Sequence, residues 1–517
     1  MASSSNDGRS LDITLVDTSG EVIIKGTWHG RCKAHELFQA AYKLKPGFMC
    51  KLLNGSEVVN PQSDLGCLCQ DFGYFTVVWM TGAVENRAFH PAFAAVNYDG
   101  SVTTWGDALK GGDSSRVDHL LQNVEHIVGN AHAFAAIRSD GSVITWGDAV
   151  FGGDSSLVEG PLQEGVLQVV GTDWAFAALK SDGSVITWGN VAPSYGGYPT
   201  PCVDHLLVEP LLQAGVVHVV CNRHAFAAVK SDGSVITWGL SYFGGDSSLV
   251  EDRLQEGVVQ VISTGGGFAA AKSDKSVATW GWCKSDEITI QPRVEHLLQE
   301  GVVQVVGNST SFAAVKSDGS VITWGDALKG GDSSGVERLL REGVVQVVCN
   351  EMAFAALKSD GSVITWGFDA HGGDSSFVER LLQSFVVQVV CNQTAFAAVM
   401  SYGAVITWGV SDQGGDSSRV GRQLEEGVVQ VVGNESAFAA VKSDGSVVTW
   451  GDAASGGDSS LIEHRLQEGV VQVIGNGRAF AAVKSDGSVV TWGKASRGGD
   501  SSRVEHRLRE GVLFIVF

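Results

Sequence analysis

One short signature, Thr-Trp-Gly, recurs along most of the chain at a nearly constant spacing. Successive copies lie 41 to 50 residues apart, and six of the nine gaps are 42 residues long. The tryptophans of the ten copies are Trp105, Trp146, Trp188, Trp238, Trp280, Trp324, Trp366, Trp408, Trp450 and Trp492. A fixed period of this length is typical of stacked supersecondary units that cannot bury their apolar faces singly. We therefore predict ten repeat units over residues 84–517, with these tryptophans as structural residues packed between neighbouring units.

The copy at residues 428–469 indicates what one unit contains. The β-branched run 428–432 predicts a first strand, and residues 437–441 and 446–450 predict two more. The Asp444-Gly445 pair between the last two predicts a hairpin with a two-residue loop. A Gly-Gly-Asp-Ser-Ser segment follows, and in the last copy Ser502 and Glu505 are spaced as a capping box ahead of a short helical turn. Each unit is predicted to have three strands, or four if a short extra strand forms.

The two ends of the repeat region complement each other. The first copy begins near Pro91 without a convincing first strand, whereas the chain finishes on residues 510–517, EGVLFIVF, which read as a first strand with nothing after it. Pairing these ends would close the array and remove an exposed sheet edge. We predict a closed ring of about ten short three- to four-stranded repeats, with an open superhelix as the alternative.

Residues 11–80 do not repeat. Alternating Leu11, Ile13 and Leu15 followed by residues 22–25 predict a hairpin, and the apolar face of residues 34–44 predicts a helix that ends at Pro46. Residues 50–80 then predict a strand, an Asn-Gly turn, a short return and a final strand. This order resembles the small α+β ubiquitin-like β-grasp, and residues 51–59 are its most telling part. Because the chain runs on past Ala83, the resemblance implies a docking domain over 11–80 rather than a conjugated modifier, preceded by a disordered polar stretch, 1–10.

The repeat itself, as in residues 428–460, resembles the regulator of chromosome condensation repeat. That resemblance implies a mainly β fold of β-propeller type, usually with seven blades, although units of 42 residues are shorter than the family's usual blade and ten units do not fit a ring of seven. Family members include exchange factors for a small nuclear GTPase, the plant ultraviolet-B receptor and propeller domains of ubiquitin ligases. The receptor's Gly-Trp-Arg-His-Thr segment has no counterpart here, where the chain reads Asn-Glu-Ser-Ala-Phe at 434–438.

Composition excludes several classes of partner. A formal net charge of −21 argues against nucleic acid and anionic membranes, which need a basic surface, and is compatible with basic protein partners. No run of 18 apolar residues predicts a membrane helix, and the polar N-terminus does not resemble a signal peptide. Nine cysteines, an odd number, suit a reducing compartment. We expect an intracellular protein in the cytoplasm, with the nucleus as an alternative.

No motif predicts catalysis, a cofactor or a metal site. The histidines of the helical segments stand beside acidic residues, and no serine or cysteine is spaced to suggest a catalytic triad. Gly-Gly-Asp-Ser-Ser occurs intact eight times, and we interpret it as a turn that caps a helix. The alternative is a ring of carboxylates that gathers cations or a basic peptide.

Two units lose this segment, and both carry variant loops at that place, residues 190–210 and 281–292. Loops on a rigid scaffold often carry binding, and aromatic residues are favoured at interfaces, although a tolerant surface loop can also drift without function. The candidate binding residues are Tyr195, Tyr198, Trp282, Asp286 and Glu287.

These observations predict a non-catalytic interaction scaffold that displays repeat loops to other proteins, including basic or ubiquitin-pathway proteins, with a ubiquitin-like docking module. One alternative is an exchange or regulatory factor for a small GTPase. Another is a substrate-binding adaptor in a ubiquitin-ligase pathway, since no ligase domain follows Phe517. A hydrolase is the least favoured.

Overall fold

The protein is mainly β. The computed structural model describes residues 10–17, 22–29, 37, 49–54, 57–58, 65–69, 72–80, 90–190, 202–203, 205–281, 294, 296–509 and 511–517. Within these residues, one five-stranded sheet precedes ten small antiparallel sheets, nine of three strands and one of four.

The N-terminal sheet is mixed. Its strands are β1 (Ser10–Val16), β2 (Val22–His29), β3 (Met49–Asn54), β4 (Glu57–Val58) and β5 (Phe72–Met80), with a short helix α1 (Leu65–Leu68) before the last. The order is β2-β1-β5-β3-β4, and β1 runs parallel to β5. The alternation of apolar residues in β1 is confirmed, because Leu11, Ile13 and Leu15 are all buried in one core. The helix predicted over 34–44 lies outside the described residues except for Leu37, which is buried in the same core.

Ten units follow, numbered here by the order of their tryptophans, and the sheet of each contains the three predicted strands. The first strands of units 2 to 10 are Val124–Gly129, Val166–Gly171, Val216–Cys221, Val258–Ser263, Val302–Gly307, Val344–Cys349, Val386–Cys391, Val428–Gly433 and Val470–Gly475. The second strands of units 1 to 10 are Ala92–Asn97, Ala133–Arg138, Ala175–Lys180, Ala225–Lys230, Gly267–Lys272, Ser311–Lys316, Ala353–Lys358, Ala395–Met400, Ala437–Lys442 and Ala479–Lys484. The third strands are Val102–Gly106, Val143–Gly147, Val185–Gly189, Val235–Leu240, Val277–Gly281, Val321–Gly325, Val363–Gly367, Val405–Gly409, Val447–Gly451 and Val489–Gly493. Unit 4 gains a fourth strand, Cys202–Val203.

Short helices of the tight 3₁₀ type connect the units. Those directly after a third strand are Ala108–Lys110, Ala149–Phe151, Ser241–Phe243, Ala327–Lys329, Asp369–His371, Ser411–Gln413, Ala453–Ser455 and Ala495–Arg497. Those before the next first strand are Asp118–Leu120, Ser156–Val158, Gly160–Gln163, Glu209–Leu212, Ser248–Val250, His296–Leu298, Glu379–Leu382, Ser418–Leu424, Ser460–Arg465 and Ser502–Arg507. Two four-residue α-helices, His205–Val208 and Glu251–Leu254, lie in the same places.

The predicted capping box is wrong. Ser502 is the first residue of its helix, and the preceding Ser501 makes no side-chain capping bond. The Ser502 amide instead donates to Asp500 Oδ1 at 2.9 Å. An aspartate two residues upstream therefore satisfies the exposed amide, as Asx turns do.

The hairpin loop was also predicted one residue too short. In unit 9 the Lys442 amide donates to the Ser446 carbonyl at 2.8 Å, and the Gly445 amide donates to the Lys442 carbonyl at 2.9 Å, which leaves three residues in the loop. Gly445 has φ +78°, the left-handed region. A three-residue loop that ends on a left-handed glycine is the usual alternative to a two-residue loop.

The last strand of the chain pairs with the first unit, as the complementary ends predict. Val512–Val516 lies antiparallel to Ala92–Asn97 and completes the sheet of unit 1. Phe93 and Trp105 of unit 1 are buried in one cluster with Ala481 of unit 10. Similar clusters join every pair of successive units along the chain.

Candidate interaction surfaces

The repeated tryptophans are core residues, as predicted. Their exposed fractions are between 0% and 7%. Each stacks on a phenylalanine of its own unit at centroid distances of 5.1 to 5.4 Å. In eight units the indole Nε1 also donates to a glycine carbonyl of the preceding unit at 2.9 to 3.1 Å. These residues therefore hold neighbouring units together.

The Gly-Gly-Asp-Ser-Ser segment supplies that carbonyl. In the copy after unit 7, Gly372 has φ +94°, and its carbonyl accepts from Trp408 Nε1 at 3.1 Å. A Cβ at Gly372 would lie 2.7 Å from the Phe396 ring, so only glycine fits. The Asp374 carboxylate accepts from the Ser376 amide at 2.8 Å. The interpretation as a turn that caps a helix accounts for this segment.

The predicted binding residues Tyr195, Tyr198, Trp282, Asp286 and Glu287 all lie outside the described residues. The flanks of the first variant loop are described. The Asn190 amide donates to the Trp174 carbonyl in unit 3 at 2.9 Å. At the other end, strand Cys202–Val203 pairs with Gly239 and Leu240 of unit 4. The variant loop thus starts on unit 3 and ends on unit 4.

A cluster of charged and aromatic side chains, the loop cluster, joins units 3 and 4. It consists of Asp173, Trp174, Arg223, His224 and Phe243. Arg223 Nη2 lies 3.0 Å from Asp173 Oδ2. The His224 ring stacks on Trp174 at 4.9 Å and meets Phe243 edge-on at 4.0 Å. Because the Trp174 carbonyl accepts from the Asn190 amide, the loop cluster lies beside the residue at which the variant loop begins.

Burial controls the charges in the loop cluster. It lowers the pKa of His224 to about 3, so the imidazole is neutral at physiological pH. Burial also raises the pKa of Asp173, while Arg223 opposes that rise. The cluster therefore presents one half-exposed guanidinium beside aromatic rings.

Unit 8 also departs from the repeat pattern, at a place that the sequence analysis did not identify. Phe385 and Tyr402, the unit 8 patch, are 63% and 59% exposed. Phe385 has φ +69°, a left-handed conformation that bulky residues rarely adopt. The Ser401 amide donates to the Phe385 carbonyl at 2.7 Å, and the Val386 amide donates to Gly361 of unit 7. Phe385 therefore lies between the hairpin turns of units 7 and 8.

The signal for this patch was present in the alignment of the units. Eight units place glycine where unit 8 has Phe385, namely Gly165, Gly215, Gly257, Gly301, Gly343, Gly427, Gly469 and Gly511, all with φ between +72° and +84°. Unit 2 has Asn123 at φ +56°. Where unit 9 reads Lys-Ser-Asp-Gly-Ser, unit 8 reads Met-Ser-Tyr-Gly-Ala over 400–404. The substitution leaves the length of the unit unchanged, so a comparison of loop lengths does not reveal it.

The described part of the chain contains no helix long and apolar enough to cross a membrane. It also holds no group of three or more histidine, cysteine, aspartate or glutamate side chains arranged to bind a metal ion.

Comparisons with known proteins give no family. No protein-family model matches the chain, and no curated protein matches it. Among solved structures, Prp20p of Saccharomyces cerevisiae is similar at 16% identity over 56% of this chain and 82% of that one, with a TM-score of 0.33. The CRINKLY WD40 ectodomain of the Arabidopsis thaliana receptor kinase ACR4 is 18% identical over 56% and 96%, with a TM-score of 0.28. The C-terminal domain of gp131 from bacteriophage phiKZ is 10% identical over 74% and 93%, with a TM-score of 0.31. TM-scores this low do not establish a shared fold.

Proposed function

We propose that this protein is a non-catalytic, intracellular interaction scaffold whose repeat array holds an aromatic binding surface at unit 8. The observation that carries the proposal is the conformation of Phe385. A bulky residue in the left-handed region costs about 1–3 kcal/mol, and eight other units avoid this cost with glycine at the same place. The Phe385 side chain is 63% exposed and so adds little to the core. Backbone strain at such a residue is typical of a binding site.

The chemistry of the unit 8 patch favours a protein partner. Phe385 and Tyr402 are two exposed aromatic side chains on adjacent turns. Tyrosine and other large side chains act as anchors when a partner desolvates them. The net charge of −21 favours partners with basic surfaces over nucleic acid.

Two features of the architecture belong to the same proposal. We propose that the ten units close into a propeller-like ring of the regulator of chromosome condensation type. The Trp105 indole of unit 1, which donates to Gly498 after unit 10 at 3.1 Å, supports closure. We also propose that the N-terminal sheet belongs to a ubiquitin-like docking module, which its strand order β2-β1-β5-β3-β4 supports.

Site-specific photocrosslinking tests the binding surface directly. Benzoylphenylalanine would replace Tyr402 in one variant and Asp444, the corresponding residue of unit 9, in a matched control. We expect discrete crosslinked protein adducts in cells from position 402 and few or none from position 444, and we expect the Phe385→Gly substitution to remove the adducts of position 402. Equal crosslinking from both positions, or none from either, would refute the proposed surface.

A further inference from the structure

Three charged side chains recur at the hairpin-turn end of the repeat unit, and unit 8 has none of them. In unit 9 they are Glu426, which precedes the first strand by two residues, and Lys442 and Asp444 of the turn. Units 3, 5, 6, 7, 9 and 10 carry a glutamate, a lysine and an aspartate at these positions, and units 1, 2 and 4 keep at least one charge there. The uncharged residues of unit 8 at the same positions are Ser384, Met400 and Tyr402.

The three positions lie together in the fold. In unit 9 a Cβ on Gly427, the residue after Glu426, would lie 3.4 Å from Lys442 Cε and 3.5 Å from Ser443 Oγ. In unit 8 the residue that corresponds to Gly427 is Phe385, which the turn contacts through the bond from the Ser401 amide. The three replacements therefore remove charge from one area of the surface, around the unit 8 patch.

The methionine of unit 8 leaves this surface to the aromatic rings. Met400 is 4% exposed and packs into the core between units 7 and 8. The corresponding Lys358 of unit 7 stays at the surface, where its Nζ donates to the Leu339 carbonyl at 3.1 Å. In unit 8 the exposed side chains at this place are those of Phe385 and Tyr402.

The neighbouring turns keep their charges. Main-chain hydrogen bonds of 2.9 to 3.0 Å join the first strand of unit 8 to the turn of unit 7, and the first strand of unit 9 to the turn of unit 8. Asp360 of unit 7 and Asp444 of unit 9 are both exposed on these adjoining turns. An apolar centre surrounded by a charged rim is the usual anatomy of a protein interface.

Charge also distinguishes between the occupants of such a surface. A charged group of a partner would lose hydration against the aromatic rings and would find no opposite charge on unit 8 at these three positions. A second copy of this chain would bring a net charge of −21 against the same charge, and its own acidic rim against Asp360 and Asp444. An uncharged segment of a different protein meets neither penalty.

We propose that the unit 8 patch binds an uncharged, apolar segment of a partner protein, whose side chains cover Phe385 and Tyr402. This inference rests on the proposed function and adds the chemistry of the contact. An acidic protein thus binds its partner through a surface from which the repeated charges have been removed.

Charges of both signs at position 384 test the proposal. In chains with benzoylphenylalanine at position 402, Ser384→Glu and Ser384→Lys should each lower the yield of crosslinked adducts in cells by roughly tenfold, because an apolar partner would desolvate either charge. Ser384→Gln has the size of glutamate without its charge and should keep most of the adducts. Six other units carry glutamate at this position, so the Ser384→Glu chain is expected to fold, and urea unfolding checks the lysine variant.

The direction of the two effects separates this inference from the proposed function. More adducts with glutamate and fewer with lysine would show a basic contact, and the reverse would show an acidic one. Either result, or unchanged yields in both variants, would overturn the inference and leave the proposed function in place. Adducts with the mass of two chains would identify a second copy and would also overturn it. If position 402 gives no adducts before Ser384 is changed, both the proposed function and this inference are wrong.

Discussion

Units 8 and 9 have the same framework and different surfaces. Phe396 pairs with Trp408 in unit 8 as Phe438 pairs with Trp450 in unit 9, and both ring pairs lie 5.3 Å apart. The turn bond that ends on Phe385 measures 2.7 Å, and its equivalent on Gly427 measures 2.8 Å. The contacts that build a unit and the side chains that it exposes therefore vary independently.

The largest expected effect concerns the shared framework. Trp408→Ala and Trp450→Ala each remove a buried ring and a hydrogen bond to the preceding unit. We expect both to lower the free energy of unfolding by about 3–5 kcal/mol, and by similar amounts. Equilibrium urea unfolding measures this. A much smaller loss in unit 8 would show that its framework differs from that of unit 9.

Transplanting the strained residue tests the difference between the units. Gly427→Phe places phenylalanine at φ +77° in unit 9, where a Cβ finds its nearest neighbour, Lys442 Cε, at 3.4 Å. The left-handed backbone is thus the main source of destabilisation, and we expect the free energy of unfolding to fall by about 1–3 kcal/mol. Gly427→Asn is the control and should cost less, because Asn123 adopts this conformation in unit 2. If phenylalanine lowers the free energy of unfolding no more than asparagine does, the left-handed conformation does not strain Phe385.

The loop cluster offers a pH-dependent comparison. Unit 9 has Ser436 where unit 4 has His224. Burial lowers the pKa of His224 from 6.5 to about 3. The unfolded chain binds a proton below pH 6.5 and the folded chain does not, so stability should fall as the pH drops from about 6.5 towards 3. The slope from this group is up to about 1.4 kcal/mol per pH unit.

The matched variant for this comparison is His224→Ser, and the measurement is urea unfolding between pH 5 and pH 7. Burial also lowers the pKa of His90 to about 3, and this residue contributes equally to the pH dependence of both proteins. The variant should therefore show a shallower dependence on pH. An unchanged slope would mean that His224 is not held neutral by the fold.

Repetition explains what could be predicted from the sequence. Ten copies of Thr-Trp-Gly identified the unit, its three strands and the buried role of the tryptophans. The offset ends predicted that the strand Val512–Val516 completes unit 1. These features depend on patterns that every copy shares, so an error in one copy does not change the result.

The remaining features depend on contacts that a pattern does not contain. The hairpin loop has three residues because the Asp444 carboxylate accepts from the Ser446 amide at 2.9 Å and Gly445 takes the left-handed position. The glycine carbonyls that accept from eight of the repeated indoles could not be inferred either, because each bond joins two different units. The proposed residues of the variant loops remain predictions.

The stability of the Phe385→Gly variant tests most directly whether the exposed Phe385 of unit 8 destabilises the fold. Glycine relieves the backbone at φ +69°, and we predict that the free energy of unfolding rises by about 1 kcal/mol in urea, while crosslinking through position 402 is lost. A variant that is less stable than the natural chain, or one that keeps its crosslinks, would contradict this account.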